Sequence, residues 1–468
     1  MKIIHVIAII LTLCSCTQVR RDIVMEFVPD TLSNLKNPYM GWTLYSENRE
    51  SHTDGKEYWK QQNEAAEKYA GTFYLRWKWN EIEPEEGRYA WDCDSVFINL
   101  INGALERNLR LAFRIYTHTG TPDYVLKHAK TYEHWGKQTP YADDEYFIEK
   151  YLKFIEAFGK KFNDPSIVDY VDCYGLGWWG EEHNIKYMNE SNKHKVHDRI
   201  VRAYAAAFDK VINVINFGVR DERQESVVYD ELGFSSRRDG YASKWFQQKD
   251  IDRFASRFPE TPIIAEACYW GNNDISYHVE SEGKKIWNTW AEYYDAVVNL
   301  AIDTHANYLD MRTVNETKRY LGEAVDAADR FLQYGGYRIY PPRIEVSTKN
   351  DKRLIITHTW ANEGVGVLPN NNRNLRNKYK VSFALFNEKN EIVSQWQSDK
   401  IDVSKLVDGG NIVATDSYEL TSVPAGSYKL ATGIINTLEN DSKDIAMAIQ
   451  NPEKLKDEWV FVSTIAIR

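Results

Sequence analysis

The stretch Val168–Gly175, VDYVDCYG, is a strand-like apolar run between two amphipathic, helix-like segments, Asp144–Phe162 and His194–Lys210. Such alternation indicates βα units, in which a helix carries the chain back to a parallel neighbouring strand. The alternation extends outward over residues 37–340 and supplies eight candidate strands. They are Met40–Tyr45, Thr72–Trp79, Arg110–Tyr116, Val168–Gly175, Val211–Val219, Leu232–Ser236, Pro262–Ala267 and Ala306–Met311. The pattern predicts an α/β fold, a (β/α)8 TIM barrel; a doubly wound sheet is the alternative, but it rarely needs eight such units.

The sequence changes character after Pro341-Pro342. Short strand-like runs, separated by turn signals, follow one another without long helices between them, which is typical of a β-sandwich. The candidate strands are Arg343–Ser347, Arg353–Trp360, Lys380–Asn387, Ile392–Gln397, Ser427–Asn436 and Trp459–Ile467. We therefore expect a barrel over residues 37–340 and a smaller all-β sandwich over residues 341–468 that supports it.

Charge and composition narrow the class of partner. The 58 Lys and Arg residues against 68 Asp and Glu residues give a net charge of −10. This acidic balance argues against a nucleic-acid partner, which would require a basic field. Of the 468 residues, 43% are hydrophobic, so the chain can bury a large core.

The N-terminus has the pattern of an export signal. Lys2 precedes an apolar run, Ile3–Leu13, which is too short for a permanent membrane span but suits a signal peptide. The next residues, Leu13–Cys16, resemble a bacterial lipobox, whose final cysteine is lipidated; an ordinary secretory signal is the alternative. The resemblance implies a signal peptide over residues 1–16, lipidation of Cys16 and a tether over residues 17–36. It places the chain at the cell envelope, expected at the outer membrane, through a lipid anchor.

Two glutamates stand where a barrel carries its chemistry. Active sites of TIM barrels lie at the carboxyl ends of the strands. The fourth candidate strand runs into Trp178-Trp179-Gly180-Glu181, and the seventh contains Glu266 near its end. The two carboxylates are therefore expected to face one another among aromatic side chains.

These features resemble barrel glycoside hydrolases. The segment Trp79–Trp91, with its Glu-Pro and Gly-Arg-Tyr-Ala-Trp, resembles their strand-two loop, and the two glutamates are similar to the acid/base and nucleophile of the large retaining glycosidase clan. The layout also resembles a group of uncharacterised bacterial lipoproteins with Asn-Pro near the start, Trp-Gly-Glu after strand four and a terminal β-sandwich. The resemblance implies an O-glycosyl hydrolase acting on a carbohydrate at the envelope. Gly180 departs from the clan, whose members mostly carry at that position an Asn that contacts the sugar 2-hydroxyl.

The chemistry asks for two carboxyl groups with different pKa values across one glycosidic bond. At about 5–5.5 Å apart they give retention, with one acting as nucleophile and the other as acid and then base. We predict that Glu181 is the proton donor, its pKa raised by flanking tryptophans, and that Glu266 is the nucleophile, held by Arg76 or Arg114. Glu182 competes with Glu181 for its role, and structural ion pairing is the alternative for either glutamate.

Aromatic side chains at strand ends are candidate sugar contacts because pyranose rings present apolar C–H faces. Arginines there form bidentate pairs with carboxylate or sulfate, which would suit an acidic sugar, although pairing with neighbouring aspartates is the simpler interpretation. The candidate substrate-binding residues are Trp42, Arg114, Tyr116, His118, Trp178, Trp179, Tyr269, Trp270, Asp310 and Arg312.

Neither a cofactor nor a metal is expected. Gly175–Gly180, GLGWWG, fits G-x-G-x-x-G literally, but two tryptophans stand where a dinucleotide fold would begin a helix. His194 and His197 could share a helix face, but no His-Glu-x-x-His motif or cysteine pair accompanies them.

A non-catalytic glycan-binding lipoprotein on a barrel scaffold is the alternative function, and Gly180 in place of Asn motivates it. Nothing specific in the sequence supports a third possibility, a sandwich that docks a partner protein. Two long loops at the expected active-site face, Tyr116–Tyr141 and Asn272–Trp290, would wall a pocket and favour exo-action or short oligosaccharides. Barrel and carboxylates do not choose the sugar or its linkage.

Overall fold

The computed structural model describes residues 23–216, 221–243, 245–268, 275, 287–349, 352–407, 409–438 and 443–468. Within them, eight parallel strands form a closed barrel. The strands are β1 (Gly41–Ser46), β2 (Ala70–Lys78), β3 (Arg110–Tyr116), β4 (Val168–Asp172), β5 (Ile212–Asn216), β6 (Ser235–Tyr241), β7 (Ile263–Ala267) and β8 (Ala306–Met311). Strand β1 pairs with both β2 and β8, which closes the sheet. The expected TIM barrel is confirmed.

Helices surround the barrel. The longer ones are α1 (Gly55–Lys68), α2 (Ser95–Glu106), α3 (Glu145–Phe162), α4 (Lys193–Ala207), α5 (Gln248–Arg257), α6 (Trp290–Asp303), α7 (Val314–Glu323) and α8 (Val325–Tyr334). Short helical turns span Trp79–Ile82, Ala90–Cys93, Asp123–Leu126, Trp178–Gly180, Glu190–Asn192, Glu222–Glu225, Ser226–Glu231 and Val403–Lys405. Side-chain caps fix where α2 and α3 begin, because Asp94 accepts from the backbone N–H of Val96 and Asp144 accepts from that of Phe147.

Strand β6 lies further along the chain than the sequence pattern predicts. The expected strand is Leu232–Ser236, but Leu232 caps the π-helical turn Ser226–Glu231, and Gly233 has a φ of 69°. The strand itself begins at Ser235 and carries Arg237, Arg238 and Asp239. Charged residues are depleted in strands, so propensity misses this one.

The C-terminal region is a sandwich of two antiparallel sheets, as expected. Its strands are β9 (Ile339–Lys349), β10 (Arg353–Asn362), β11 (Tyr379–Phe386), β12 (Ile392–Gln397), β13 (Ile412–Glu419), β14 (Gly426–Asn436), β15 (Lys454–Lys456) and β16 (Trp459–Ile467). One sheet has the order β12-β11-β14-β16-β15. Strand β9 starts ahead of Pro341-Pro342, and its pairing with β10 shifts at the prolines, which have no N–H to donate.

The other sheet contains a strand from the opposite end of the chain. Ile23–Glu26 pairs antiparallel with β9, so this sheet has the order Ile23–Glu26, β9, β10, β13. The segment 17–36 is expected to be a tether, but these four residues belong to the sandwich.

The sandwich packs against the amino ends of the barrel strands. Asn307, at the start of β8, donates to the carbonyl of Val367, and Asn374 donates to the carbonyl of Val211, just before β5. One hydrophobic cluster also continues from tyrosines inside the barrel, such as Tyr308, into the sandwich core. The carboxyl ends of the strands are therefore left for the functional site.

Candidate active site

A cavity of about 890 Å³ opens at the carboxyl ends of the barrel strands. Its described lining is Glu47, Asn48, Arg76, Tyr116, Trp178, Trp179, Glu181, His183, Asn216, Arg238, Asp239, Gly240, Trp245, Glu266, Ala267, Cys268 and Arg312. The lining combines carboxylates, guanidinium groups and indole rings, so the cavity suits a polar ligand with apolar ring faces.

Glu266 lies at the floor of the cavity and is 1% exposed. The Tyr45 hydroxyl donates to Oε2 at 3.0 Å, and Arg76 Nη1 donates to Oε1 at 3.3 Å. Arg237 and Arg312 also donate to this carboxylate, one to each oxygen. Burial by itself would raise the pKa of Glu266, but the guanidinium groups outweigh it and hold the pKa below its usual range.

Glu181 follows the helical turn Trp178–Gly180 that leads away from β4, and its side chain is 19% exposed. Its Oε1 lies 3.5 Å from Arg76 Nη1 and 3.9 Å from Arg114 Nη1. Its Oε2 lies 3.3 Å from His183 Nε2. The flanking tryptophans are expected to make its surroundings apolar, but the carboxylate faces charged and polar groups instead.

A third carboxylate, Asp239, completes the group. One oxygen from each of Glu181, Asp239 and Glu266 lies within 4.8 Å of the other two. This is close to the roughly 5–5.5 Å separation of the two carboxyl groups in retaining glycosidases. Three carboxylates could also attract a hard cation such as Ca²⁺, but guanidinium groups already pair with all three.

Sequence reasoning misses the role of Asp239, which is among the neighbouring aspartates expected only to pair with the strand-end arginines. Arg114 Nη1 donates to its Oδ2 at 3.1 Å, Arg237 Nε donates to its Oδ1 at 2.7 Å, and Asn216 donates to it at 3.0 Å. Burial by itself would raise the pKa of Asp239, but ion pairing with Arg237, Arg114 and Arg76 together outweighs it and holds the pKa well below its usual range. The signal that could have revealed Asp239 was the run Arg237-Arg238-Asp239, which begins immediately after the end of the predicted strand at Ser236.

Glu47 and Arg312 line the side of the cavity next to Arg76. Arg76 Nη2 donates to Glu47 Oε1 at 3.2 Å, and Arg312 Nη1 lies 3.8 Å from the same oxygen. Behind Arg312, Asp310 accepts from the backbone N–H of Ala267 at 2.7 Å. Burial raises the pKa of Asp310 to about 7 and that of Glu316 to about 8.

Several predicted substrate contacts do reach this region. Tyr116, Trp178, Trp179 and Arg312 line the cavity. Arg114, 1% exposed, lies beneath it and supports Asp239 and Glu181. Asp310 lies behind Arg312 and does not line the cavity. The arginines were also expected, more simply, to pair with neighbouring carboxylates. Arg312 does so, because it pairs with Glu266 and lies 3.6 Å from Asp310.

Trp42 does not reach the cavity and is a correction to the predicted contacts. Its ring is fully buried against Tyr320 and Phe331, with centroids 5.0 and 4.9 Å away, and Nε1 donates to the carbonyl of Ala328. It packs between the barrel and its helices. His118 also lies outside the cavity lining, buried against Trp135 and Trp178.

Tyr269 and Trp270 lie outside the described residues, as do Cys16, residues 1–16 and most of the loop Asn272–Trp290.

The structure separates the two adjacent glutamates. Glu182 is 5% exposed, and its Oε1 accepts from the backbone N–H of Asn216, away from the cavity that Glu181 lines. Gly180, with a φ of 74°, allows the turn: a Cβ there would lie 2.8 Å from Tyr116 Cβ. After β4 the segment GLGWWG makes only this short turn, so it does not begin the helix that dinucleotide binding needs.

The fold and the site together define a (β/α)8 barrel whose cavity carries a paired-carboxylate centre. No family model and no curated protein matches the chain. Among solved structures, endo-glycoceramidase II from Rhodococcus sp. is 12% identical, with a TM-score of 0.40, over 83% of this chain and 99% of that one.

A glycoside hydrolase family 5 enzyme from Prevotella bryantii B14, in complex with a xyloglucan tetradecasaccharide, is 11% identical with a TM-score of 0.40, over 66% of this chain and 98% of that one. Xylanase B from Clostridium stercorarium F9 is 12% identical with a TM-score of 0.38, over 59% and 86%.

Proposed function

We propose that the protein is a retaining O-glycosyl hydrolase in which Glu266 is the nucleophile and Glu181 is the acid/base. The observation that carries the proposal is the approach of their oxygens to within 4.8 Å, with Asp239 beside them, on the floor of the cavity. That separation suits direct attack, whereas an inverting enzyme needs roughly 6.5–9.5 Å to admit a water molecule.

The roles follow from the contacts. Glu266 is held ionised by three arginines, so an oxygen of its carboxylate attacks the anomeric carbon and forms a glycosyl ester. Glu181, the more exposed of the pair, gives its proton to the glycosidic oxygen as that bond breaks, and the leaving group departs as an alcohol. Glu181 then takes a proton from water, whose oxygen attacks the same carbon and releases Glu266. Two displacements retain the anomeric configuration.

The proposal extends to substrate and location. A walled cavity supports action on chain ends or short oligosaccharides, as the loop lengths suggest. Anchoring through Cys16 would hold the enzyme at the cell envelope, where such glycans are met. Among the described helices, none combines the length and apolar character needed to cross a membrane.

The test has two stages. Purified protein is screened against aryl glycosides and glycan oligomers, and the anomer released first is identified by NMR. On the substrate found, Glu266→Gln should abolish turnover, while Glu182→Gln, the adjacent and matched control, should keep it. Azide added to Glu181→Ala should form a glycosyl azide of retained configuration, whereas azide added to Glu266→Ala should form the inverted one. An inverted first product in the wild type would overturn the proposal.

A non-catalytic glycan-binding role is the second candidate, and one observation favours it. Both oxygens of Glu266 are engaged by guanidinium groups, which stabilise the anion and weaken it as a nucleophile. Under this alternative, oligosaccharides bind the wild-type protein and its Glu266→Gln variant alike, and neither protein turns them over.

A further inference from the structure

Three tryptophans are exposed at the site end of the barrel. Trp135, Trp179 and Trp245 are 55%, 41% and 53% exposed, and they are the only exposed tryptophans among the residues that the structure describes. An indole ring can bury about 150–250 Å², so leaving several in water forgoes stabilisation and marks a binding surface. Two of the three, Trp179 and Trp245, line the cavity, and Trp135 contacts Trp179.

A two-stranded hairpin places Trp135. Thr131–His134 pairs with Lys137–Pro140, and Trp135 and Gly136 form the turn between them, with φ values of 48° and 69°. This turn has both central residues at positive φ, a conformation that favours Asn or Gly over a bulky side chain. The indole nevertheless stands at its tip, with its ring centroid 5.0 Å from Trp178 and 5.7 Å from Trp179.

Trp135, Trp178 and Trp179 form an aromatic wall that begins at Glu181. The Trp179 ring lies 5.8 Å from the His183 ring, and His183 Nε2 lies 3.3 Å from Glu181 Oε2. The indole rings themselves carry no charge and present apolar faces. His118, which contacts both Trp135 and Trp178, is buried behind them, and burial lowers its pKa to about 4. A charged sugar would gain no ion pair from these rings.

We propose that Trp135, Trp178 and Trp179 form a leaving-group subsite, which stacks the ring of a neutral, equatorially linked pyranose. The inference rests on the proposed function, because an acid/base residue protonates the leaving oxygen and the leaving group must lie on its side of the bond. Equatorial linkages make flat chains whose C–H faces match indole faces.

Oligosaccharide binding to a variant that lacks the nucleophile tests the aromatic wall independently of turnover. Cellotetraose, xylotetraose and mannotetraose are titrated into the Glu266→Gln protein by calorimetry. At least one should bind, and adding Trp135→Asn or Trp179→Asn should weaken that binding about tenfold, which is about 1.4 kcal/mol. Asn suits positive φ, so the backbone is kept. Tyr334→Ala removes an exposed aromatic side chain from α8 and is the matched control. Binding by none of the three, or equal binding by the tryptophan variants, would overturn the proposal.

Turnover of two substrates, one with a sugar leaving group and one without, distinguishes a failure of this inference from a failure of the proposed function. Trp135→Asn should lower kcat/KM for the bound tetrasaccharide about tenfold but leave the matching glycosyl fluoride within about twofold, because fluoride has no ring to stack. Equal losses on both substrates would remove the leaving-group assignment. If the wild type turns over neither substrate, the proposed function fails, and the binding experiment alone decides whether the wall holds a pyranose.

Discussion

Arg76 Nη1 lies between Glu181 and Glu266, 3.5 Å from an oxygen of one and 3.3 Å from an oxygen of the other. Its Nη2 donates to Glu47, so the guanidinium is fixed on both sides. One planar guanidinium from β2 thus contacts a carboxylate from the turn after β4 and a carboxylate from β7, which the single ammonium group of a lysine on its flexible stem would not do as rigidly.

Replacing Arg76 should therefore damage catalysis more than binding. Arg76→Lys keeps a charge but loses the fork, and we expect kcat/KM to fall about 10²–10³-fold on the substrate that the screen identifies. Weaker ion pairing should also raise the pKa of Glu266, so the acidic limb of the pH profile should move to higher pH. The measurement is kcat/KM against pH.

Arg88→Lys, on an arginine whose side chain is 60% exposed, is the control and should leave the pH profile in place. An Arg76→Lys enzyme with the wild-type acidic limb would show that Arg76 does not stabilise the ionised Glu266.

Gly180 should be needed for the position of Glu181. An alanine Cβ there would lie 2.8 Å from Tyr116 Cβ at a φ of 74°, so the turn must shift. We expect Gly180→Ala to lower stability by about 1–3 kcal/mol and turnover by a larger factor than the unfolded fraction explains. Gly87→Ala is matched, because Gly87 has a φ of 77° and nothing within 4 Å. Gly87→Ala should lose only the stability that a side chain at positive φ costs, and urea denaturation measures this loss for both variants. Equal turnover by the two variants would contradict the prediction.

Glu316 should make the folded protein lose stability as the pH rises from about 5 to 8. Burial and the neighbouring Asp310 raise its pKa to about 8, whereas in the unfolded chain it titrates near 4.3. Between these values the folded state holds a proton that the unfolded state releases, so its contribution to stability is lost as pH rises, by at most about 1.4 kcal/mol per pH unit.

Glu316→Gln keeps an oxygen that can accept from the backbone N–H of Arg312 but does not titrate. The fall in Tm between pH 5 and pH 8 should therefore be smaller in Glu316→Gln than in the wild type. Glu323→Gln, at an exposed position on the same helix, should behave as the wild type does. Parallel Tm curves for all three proteins would rule out this role for Glu316.

Cys16 should carry the lipid. In cells grown with radiolabelled palmitate, the wild-type protein should be labelled and recovered with membranes, whereas Cys16→Ala should be unlabelled. Cys93→Ala, at an exposed free cysteine in the barrel region, is the control and should stay labelled. Label retained by Cys16→Ala would place the modification elsewhere.

Local pattern was sufficient for most of the architecture. Alternating apolar runs and amphipathic helices predicted the eight-stranded barrel, because each βα unit is encoded within one continuous stretch. The end-of-strand rule then directed attention to Glu181 and Glu266, since the carboxyl ends of all the strands meet at one face. Both glutamates line the cavity there.

Which side a strand residue faces was not readable from the pattern. Parallel strands are apolar on both faces, so period-two alternation does not separate a residue that points into the barrel from one that points to the helices. Trp42, expected at the cavity, faces the helices for this reason.

The sequence by itself determined the order of elements, the class of fold and two carboxylates at strand ends, because these depend on neighbours along the chain. Only the tertiary structure decided that Asp239 and Arg237 reach the centre with Glu266, that Arg76 contacts both glutamates, and that Ile23–Glu26 pairs with Ile339–Lys349. Those contacts join residues far apart in the chain, and the closure of the barrel and the pairing of strands bring them together, which no local pattern records.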